Sequence, residues 1–398
     1  MRNKHEYQIS DTAKRTINPI RGIVDKMRDS NPNKRVISLA LGDPTTTIHT
    51  HPSVTEAVIQ EFKSNSSDGY RSAIGSLDAR KAVGKRYNVD PENIVLTNGC
   101  SGALDIAMNV VCGSEDTILI PKPGFSLYKT VCLARNLKFK YYNLLPDLNW
   151  QADLDHLQSL VDSSTKCILI NNPSNPCGAV YSEEHLRALL EFAETNNLVV
   201  IADEIYGDMV FKDHKFHSLG NLTTNVPVFV CGGLAKEYLV PGWRLGWIMV
   251  YDKQNVMPDA TLGLFNLASV VLGPTVPIQN ALGKILSTPQ SFFDETREFL
   301  ESNYNLMSSK ISSIQGLKPI SAQGTLYIMV EILFDHFDGI ADDLDFTQRL
   351  FREESVMCLP GTIFGRPNFF RIVFSINSND LVEAFDRLSE FCSRHRKK

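Results

Sequence analysis

The sequence predicts an α/β protein, with a mostly parallel central sheet, helices on both faces and a second, smaller α/β domain. Three observations carry that reading. Short β-branched apolar runs recur without alternation, as NIVL, TILIP, CILINN, LVVIADE, VPVFVC and RLGWIMV. Strands buried on both faces read this way. Helical stretches separate most of them, among them SGALDIAMNVV, DLDHLQSLVD and SEEHLRALLEFAETNN, and such alternation favours parallel pairing. The pattern spans about residue 50 to about residue 290 and then changes.

In chain order, the segment through ISLALGDP comes first, and its strand ISLA precedes the sheet pattern. It is therefore expected to pack with the C-terminal part. The large domain is expected over 46–290. Beyond it, SFFDETREFLESNYNLMSSKISSI reads as one long helix, followed by a mixed stretch and a final helix near LVEAFDRLSEFCSRH. The small domain is expected to combine 1–45 with 291–398. There are no internal repeats and no low-complexity linker.

Composition excludes several classes. With 398 residues, 43% hydrophobic and 21% charged, the chain can bury a large core. Its net charge of -5 and a single basic block, the terminal RHRKK, argue against a nucleic-acid partner. No apolar run approaches a membrane span. The start, MRNKHEYQISDTAKR, lacks an apolar stretch and carries Glu6 and Asp11, unlike a targeting peptide. The 8 cysteines show no CxxC pair and no Cys/His ligand spacing. They read as reduced thiols of a cytosolic protein, and no metal is expected.

Several residues stand out against this background. Lys236 lies in a turn of small residues, CGGLAKEYLVPGWRLGW, directly after an apolar run. An amine nucleophile acts in its neutral form, which desolvation and nearby cations favour, and such a lysine suits capture of a carbonyl. Arg244 follows at the start of a candidate strand and needs an anion, either a carboxylate or a phosphate. In VVIADEIYGDMVF, Asp203 and Glu204 stand at a strand's C-terminal end, where open α/β sheets bind ligands, and Tyr206 follows. A desolvated acid there needs a cation or donor, such as a protonated pyridine nitrogen; spacing alone does not choose between the two acids. In ILINNPSNPCG, the prolines around Asn175 suggest a rigid loop presenting an amide. LTNGCSGAL reads as strand, turn and helix start, a phosphate cradle to which Ser101 adds a hydroxyl. Phe125 in PKPGFSLY could be core or could stack on a flat ring. Arg371 sits in the apolar run NFFRIVFS and calls for a carboxylate. One ligand answers four of these demands, those of Lys236, of Arg244 with Ser101, of Phe125 and of Asp203. Pyridoxal 5′-phosphate offers a carbonyl, a phosphate, a flat ring and a protonated nitrogen.

The stretches ISLALGDPT, PGFSLYKT, NNPSNPCG, ADEIYGDMVF and LVPGWRLGW together resemble the fold-type-I pyridoxal-phosphate-dependent aminotransferases, from about Asn18 to the C-terminus. Within that family the chain is most similar to members acting on tyrosine. The resemblance implies that Lys236 carries the cofactor and that Asp203 pairs with its ring nitrogen. Tyr206 and Asn175 would donate to the ring oxygen, and Phe125 would stack on the ring. Cys100, Ser101 and Arg244 would hold the phosphate. Arg371, with Asn175 and Gly42, would bind the substrate carboxylate. Lys236, Asp203 and Tyr206 would be the catalytic group. Tyr70 would reach the phosphate in a neighbouring subunit's site, which implies a homodimer with shared sites.

The activity implied is transamination of an aromatic amino acid, L-tyrosine with 2-oxoglutarate, giving 4-hydroxyphenylpyruvate and glutamate in tyrosine and phenylalanine catabolism. The alternatives are a broad-specificity aminotransferase or a β-lyase on the same fold. A cofactor-binding regulator would need an attached domain, and a nicotinamide dehydrogenase would need a GxGxxG after the first strand, which is absent. Two positions depart from the family pattern. Gly233 stands where many relatives carry a hydroxyl residue, and Glu237-Tyr238 follows the lysine where a basic residue and Trp are common. The side-chain pocket is expected to draw on Asn18 to Arg21 and on loops near Tyr70.

Overall fold

The computed structural model describes residues 7–24 and 29–397, the side chains of Arg21 and Val24 excepted. Glu6 and Lys398, which entered the reading of the two termini, lie outside the described residues, as does the side chain of Arg21. The strands are β1 (Ile37–Ser38), β2 (Ile94–Thr97), β3 (Thr117–Lys122), β4 (Lys138–Leu145), β5 (Gln151–Ala152), β6 (Thr165–Asn171), β7 (Val199–Asp203), β8 (Val228–Gly233), β9 (Gly246–Tyr251), β10 (Leu317–Pro319), β11 (Tyr327–Ile332), β12 (Val356–Met357), β13 (Leu359–Pro360) and β14 (Phe369–Val373).

The large sheet runs β2-β9-β8-β7-β6-β3-β4-β5. The run β8-β7-β6-β3-β4 is parallel throughout. β9 is antiparallel to both β8 and β2, and β5 returns antiparallel on β4. The expected mostly parallel sheet is present, and its apolar runs have a clear cause. Leu119, Ile168, Val200, Val230 and Met249 enter one apolar cluster, while Ile118, Leu169, Ile201, Phe229 and Ile248 enter another on the opposite face. Both faces are buried, so the strands do not alternate in polarity.

Local signals set the helices. Glu183–Thr195 begins at Ser182, whose hydroxyl accepts from the His185 N–H at 3.2 Å, and Glu183 and Glu184 occupy its first turn. Leu186, Leu189, Leu190 and Ala193 recur at helical spacing and are buried. The long helix expected near 291–314 is Gln290–Ser312, and the last is Ser378–Arg394.

The C-terminal part holds an antiparallel sheet ordered β10-β11-β14-β13. The early strand pairs within this part in a separate two-stranded sheet. β1 pairs parallel with β12, and the Val373 N–H donates to the Leu39 carbonyl at 2.9 Å. Residues Ala40–Gly42 are thereby delivered to the edge of the large sheet where the parallel strands end.

Candidate active site

Asn171 and Asp203 are the last residues of β6 and β7, and the helix Gly99–Val111 starts just after β2. A cavity of about 290 Å³ opens at this edge. Placement of a ligand site at the carboxyl ends of parallel strands follows from the topology.

One end of the cavity is built largely from backbone. Asn98 precedes the helix Gly99–Val111 and makes no side-chain capping bond, so the first N–H groups of that helix keep their donor capacity. Gly99 has φ +73°, and a Cβ there would lie 2.5 Å from Nη2 of Arg244. Gly246 on β9 passes so close beneath that a Cβ would meet the Gly99 carbonyl carbon at 2.4 Å and the Cys100 nitrogen at 2.5 Å. Arg244 donates to the carbonyls of Pro241 at 2.8 Å and Asn98 at 3.3 Å. Among the described residues no carboxylate pairs with it. The sequence reading set Arg244 at the start of a strand. In fact β9 begins at Gly246, and Arg244 follows the turn Pro241–Trp243 in left-handed backbone, φ +53°. That turn swings the guanidinium onto the helix start.

Strand alternation separates the two acids. Asp203 lines the cavity, whereas Glu204 lines a second cavity with Ser218, Gly232 and Glu237. Burial pushes the Asp203 carboxyl above its ordinary range, and Tyr128, the Ile205 N–H and Cys100 oppose that push. The Tyr128 hydroxyl donates to Asp203 at 2.7 Å, and the Cys100 thiol lies 3.5 Å from the other oxygen. A carboxylate so supplied can face a protonated nitrogen.

Lys236 is half-buried, and its ammonium donates to the Gly42 carbonyl. It also stands 5.8 Å from the ring centroid of Tyr206. The Tyr206 and Tyr327 hydroxyls are 2.8 Å apart. Gly42 is obligatory here, because a Cβ would fall 2.0 Å from the Tyr327 hydroxyl.

Arg371 is 2% exposed. It donates to Asn175 Oδ1 at 2.8 Å and to the Ala40 carbonyl at 2.6 Å, and its buried Nε has no partner. Its guanidinium lies 4.5 Å from the Tyr327 ring centroid and 4.7 Å from that of Phe364. Burial pushes its pKa down. Among the described residues no acid pairs with it, and a buried cation left so is costly until an anion arrives. Asn175 is itself fixed, since its N–H donates to Asn171 Oδ1 at 2.7 Å.

Of the residues singled out from the sequence, Gly42, Cys100, Ser101, Phe125, Asn175, Asp203, Tyr206, Lys236, Arg244 and Arg371 all line the one cavity. Tyr70 does not; it is 90% exposed. Asn18 and Ile20 of the expected side-chain segment do line it. Sequence reasoning missed Tyr327, which comes from β11, and Tyr128. Tyr128 lies three residues after Phe125, one helical turn away, and that spacing was an available signal. Tyr327 carried none, because only the β11–β14 register, with Met329 opposite Arg371, sets it diagonally beside the arginine. At Gly233, where relatives often place a hydroxyl, a Cβ would lie 2.8 Å from both the Gly246 Cα and the Leu245 carbonyl. No side chain fits between these two strands.

The residues present fit pyridoxal 5′-phosphate. Uncapped N–H groups and Arg244 suit its phosphate, Asp203 its ring nitrogen, Tyr206 and Asn175 its ring oxygen, and Lys236 its carbonyl. Among the described residues no cluster of three or more His, Cys, Asp or Glu side chains could hold a metal, and no helix is long and apolar enough to cross a membrane.

Residues 34–388 match the family Aminotransferase class I and II. The tyrosine aminotransferase of Mus musculus is 45% identical, over 97% of this chain and 87% of its own length. That of Dictyostelium discoideum is 41% identical, over 99% and 98%. The crystal structure of tyrosine aminotransferase from Leishmania infantum superposes with a TM-score of 0.96, covering 99% of this chain and 100% of its own at 32% identity. A chain with this fold, this cavity and these relatives belongs to the class I and II aminotransferases.

Proposed function

We propose that this aminotransferase exchanges the amino group of L-tyrosine with 2-oxoglutarate, giving 4-hydroxyphenylpyruvate and glutamate in the breakdown of tyrosine and phenylalanine. The observation that carries the reading is Arg371, a buried guanidinium with no acid partner among the described residues, opening on the cavity that also holds Lys236 and Asp203. An α-carboxylate satisfies it bidentately, with Asn175 beside it and the Gly42 segment closing over. The relatives that act on tyrosine support the choice of substrate.

In this reading Arg371 fixes the orientation of the substrate about its Cα, which selects the bond that breaks. Lys236 Nζ takes the proton from that carbon and later returns a proton to the group that receives nitrogen. The bound cofactor supplies an electron sink. Asp203, with Tyr128 and Cys100 holding its carboxylate in place, would keep a proton on the cofactor's ring nitrogen. Tyr206 and Asn175 would donate to its ring oxygen, and Phe125 would stack on its ring. Arg244, Ser101 and the N–H groups from Cys100 onward would hold its phosphate. Asn18 and Ile20 border the space left for the substrate side chain.

Homodimer formation belongs to the same proposal. Exposed Val270, Val271 and Leu272 precede Gly273, which packs against the Ala73 carbonyl close to Tyr70. Val270 and Val271 also share a groove with Thr97 and Asn98 at the helix start. A second copy covering this apolar stretch would bring its Tyr70 toward a phosphate-binding helix. A division into 46–290 and 1–45 with 291–398 fits the three sheets, since the eight-stranded one falls in the first part and the other two in the second, and eight buried thiols without disulfides suit the cytosol.

The test is a panel of amino donors and 2-oxo acid acceptors with purified protein, alongside Lys236→Ala. Tyrosine should be among the best donors, turnover should require an acceptor, and K236A should lose both turnover and the cofactor's absorbance near the visible edge. Ammonia release without an acceptor, or normal turnover by K236A, would overturn the reading.

A further inference from the structure

We propose that Tyr327 is a positioning residue that ties the ring-oxygen donor to the carboxylate grip. The inference rests on the site reading given above and deepens it. Tyr327 touches three of the groups that reading uses. Its hydroxyl is 2.8 Å from that of Tyr206, its ring face lies 4.5 Å from the Arg371 guanidinium carbon, and its hydroxyl occupies the space a Cβ on Gly42 would need.

Each contact has a separate physical effect. Both phenols are buried, at 3% and 2% exposure, and each needs a hydrogen-bond partner. When Tyr206 gives its proton to an anionic oxygen in the cavity, the proton between the two phenols must come from Tyr327, because a hydroxyl has one to give. Tyr327 then acts as the second donor in a chain, strengthening the donation by Tyr206 and stabilising negative charge on that oxygen. On the other side, the Arg371 guanidinium lies over the rings of both Tyr327 and Phe364. The faces orient the guanidinium and offset part of its desolvation without neutralising it. A carboxylate partner would have quenched the charge that the substrate is to meet. The site therefore holds its arginine with aromatic faces and two neutral acceptors, Asn175 Oδ1 and the Ala40 carbonyl.

The two effects come apart in two variants of the cofactor-loaded enzyme. Tyr327→Phe keeps the ring and removes the hydroxyl. It should shift the pH midpoint of the bound cofactor's visible band by about half a unit or more and lower kcat roughly 5-fold. Its dissociation constant for 3-phenylpropionate, measured by calorimetry, should stay within about twofold of the parent's. Tyr327→Leu loses both contacts and should in addition weaken 3-phenylpropionate binding about 10-fold. A parent-like band titration in Y327F, or parent-like affinity in Y327L, would overturn the inference. K236A separates this failure from a failure of the site reading. If K236A is inactive and colourless while both Tyr327 variants match the parent, the inference alone falls. If K236A keeps its band and turnover, the reading falls and takes the inference with it.

Discussion

Asp203 and Glu204 are neighbours in sequence, yet they line two separate cavities. Glu204 is 8% exposed, and one carboxyl oxygen accepts from the Leu219 N–H at 2.8 Å. Burial, with adjacent Asp203 adding to it, pushes the Glu204 carboxyl up from 4.5 to about 8. Between those values the folded protein keeps a proton that the unfolded chain has released. Its stability must therefore fall as pH rises from about 4.5 through about 8, and level off above. Glu204→Gln removes the titration while keeping a neutral side chain. Urea unfolding at pH 5, 6.5 and 8 should show a loss on the order of 3–5 kcal/mol in the parent that is largely absent in E204Q.

Arg371 imposes the opposite trade. Replacing it with Met removes a buried cation that has no acid partner among the described residues, so the melting temperature without substrate should be unchanged or higher. The KM for tyrosine should rise about 100-fold or more, because charge-assisted bonds are lost. Parallel melting curves with 3-phenylpropionate should show stabilisation of the parent and none of R371M.

The glycine at 233 is a steric requirement in this chain. Introducing a hydroxyl here, as Gly233→Ser, would push a Cβ against the backbone of Leu245 and Gly246 at 2.8 Å. The expected outcome is a loss of about 1–3 kcal/mol of stability with no gain in cofactor affinity. Chemical denaturation and cofactor titration of G233S check both parts.

If Tyr70 completes a neighbour's site, two defective variants should rescue one another. Dimers of Tyr70→Ala have no Tyr70 at either site, and dimers of Lys236→Ala have no lysine. A hybrid of the two keeps one site with Lys236 from one subunit and Tyr70 from the other. Mixing the proteins under subunit exchange should raise activity well above the mean of the two alone. Additive activity would place Tyr70 in its own subunit's site or in none.

Sequence carried much of this molecule, for physical reasons that differ by element. The strands β2, β3, β6, β7, β8 and β9 were legible because both faces of their sheet are buried, which leaves unbroken apolar runs. β4, KFKYYNLL, was not, because it mixes charge with aromatics near the sheet edge, where one side is half-exposed. Asp203 and Glu204 could be placed on a strand end but not on a face, since alternation says that neighbours diverge without saying which way. Arg244 was placed in a strand because nothing in GWRLG announces a left-handed arginine. Tyr327 is not legible because its meaning depends on the pairing of β11 with β14, and the steric reason for Gly233 lies in the backbone of β9, which no local pattern announces.

The stitching of residues 37–40 into the C-terminal sheet has a consequence for how the protein is made. Ala40 meets Arg371 across 331 positions of chain. At a synthesis rate of roughly 5–20 residues per second, the ribosome needs about 20 to 60 seconds to travel between them. Through most of that interval the β1 segment waits without its partner strand β12, and the contact between Ala40 and Arg371 cannot yet exist. A newly made chain thus completes this corner of the cavity only after the strands of the central sheet have been synthesised.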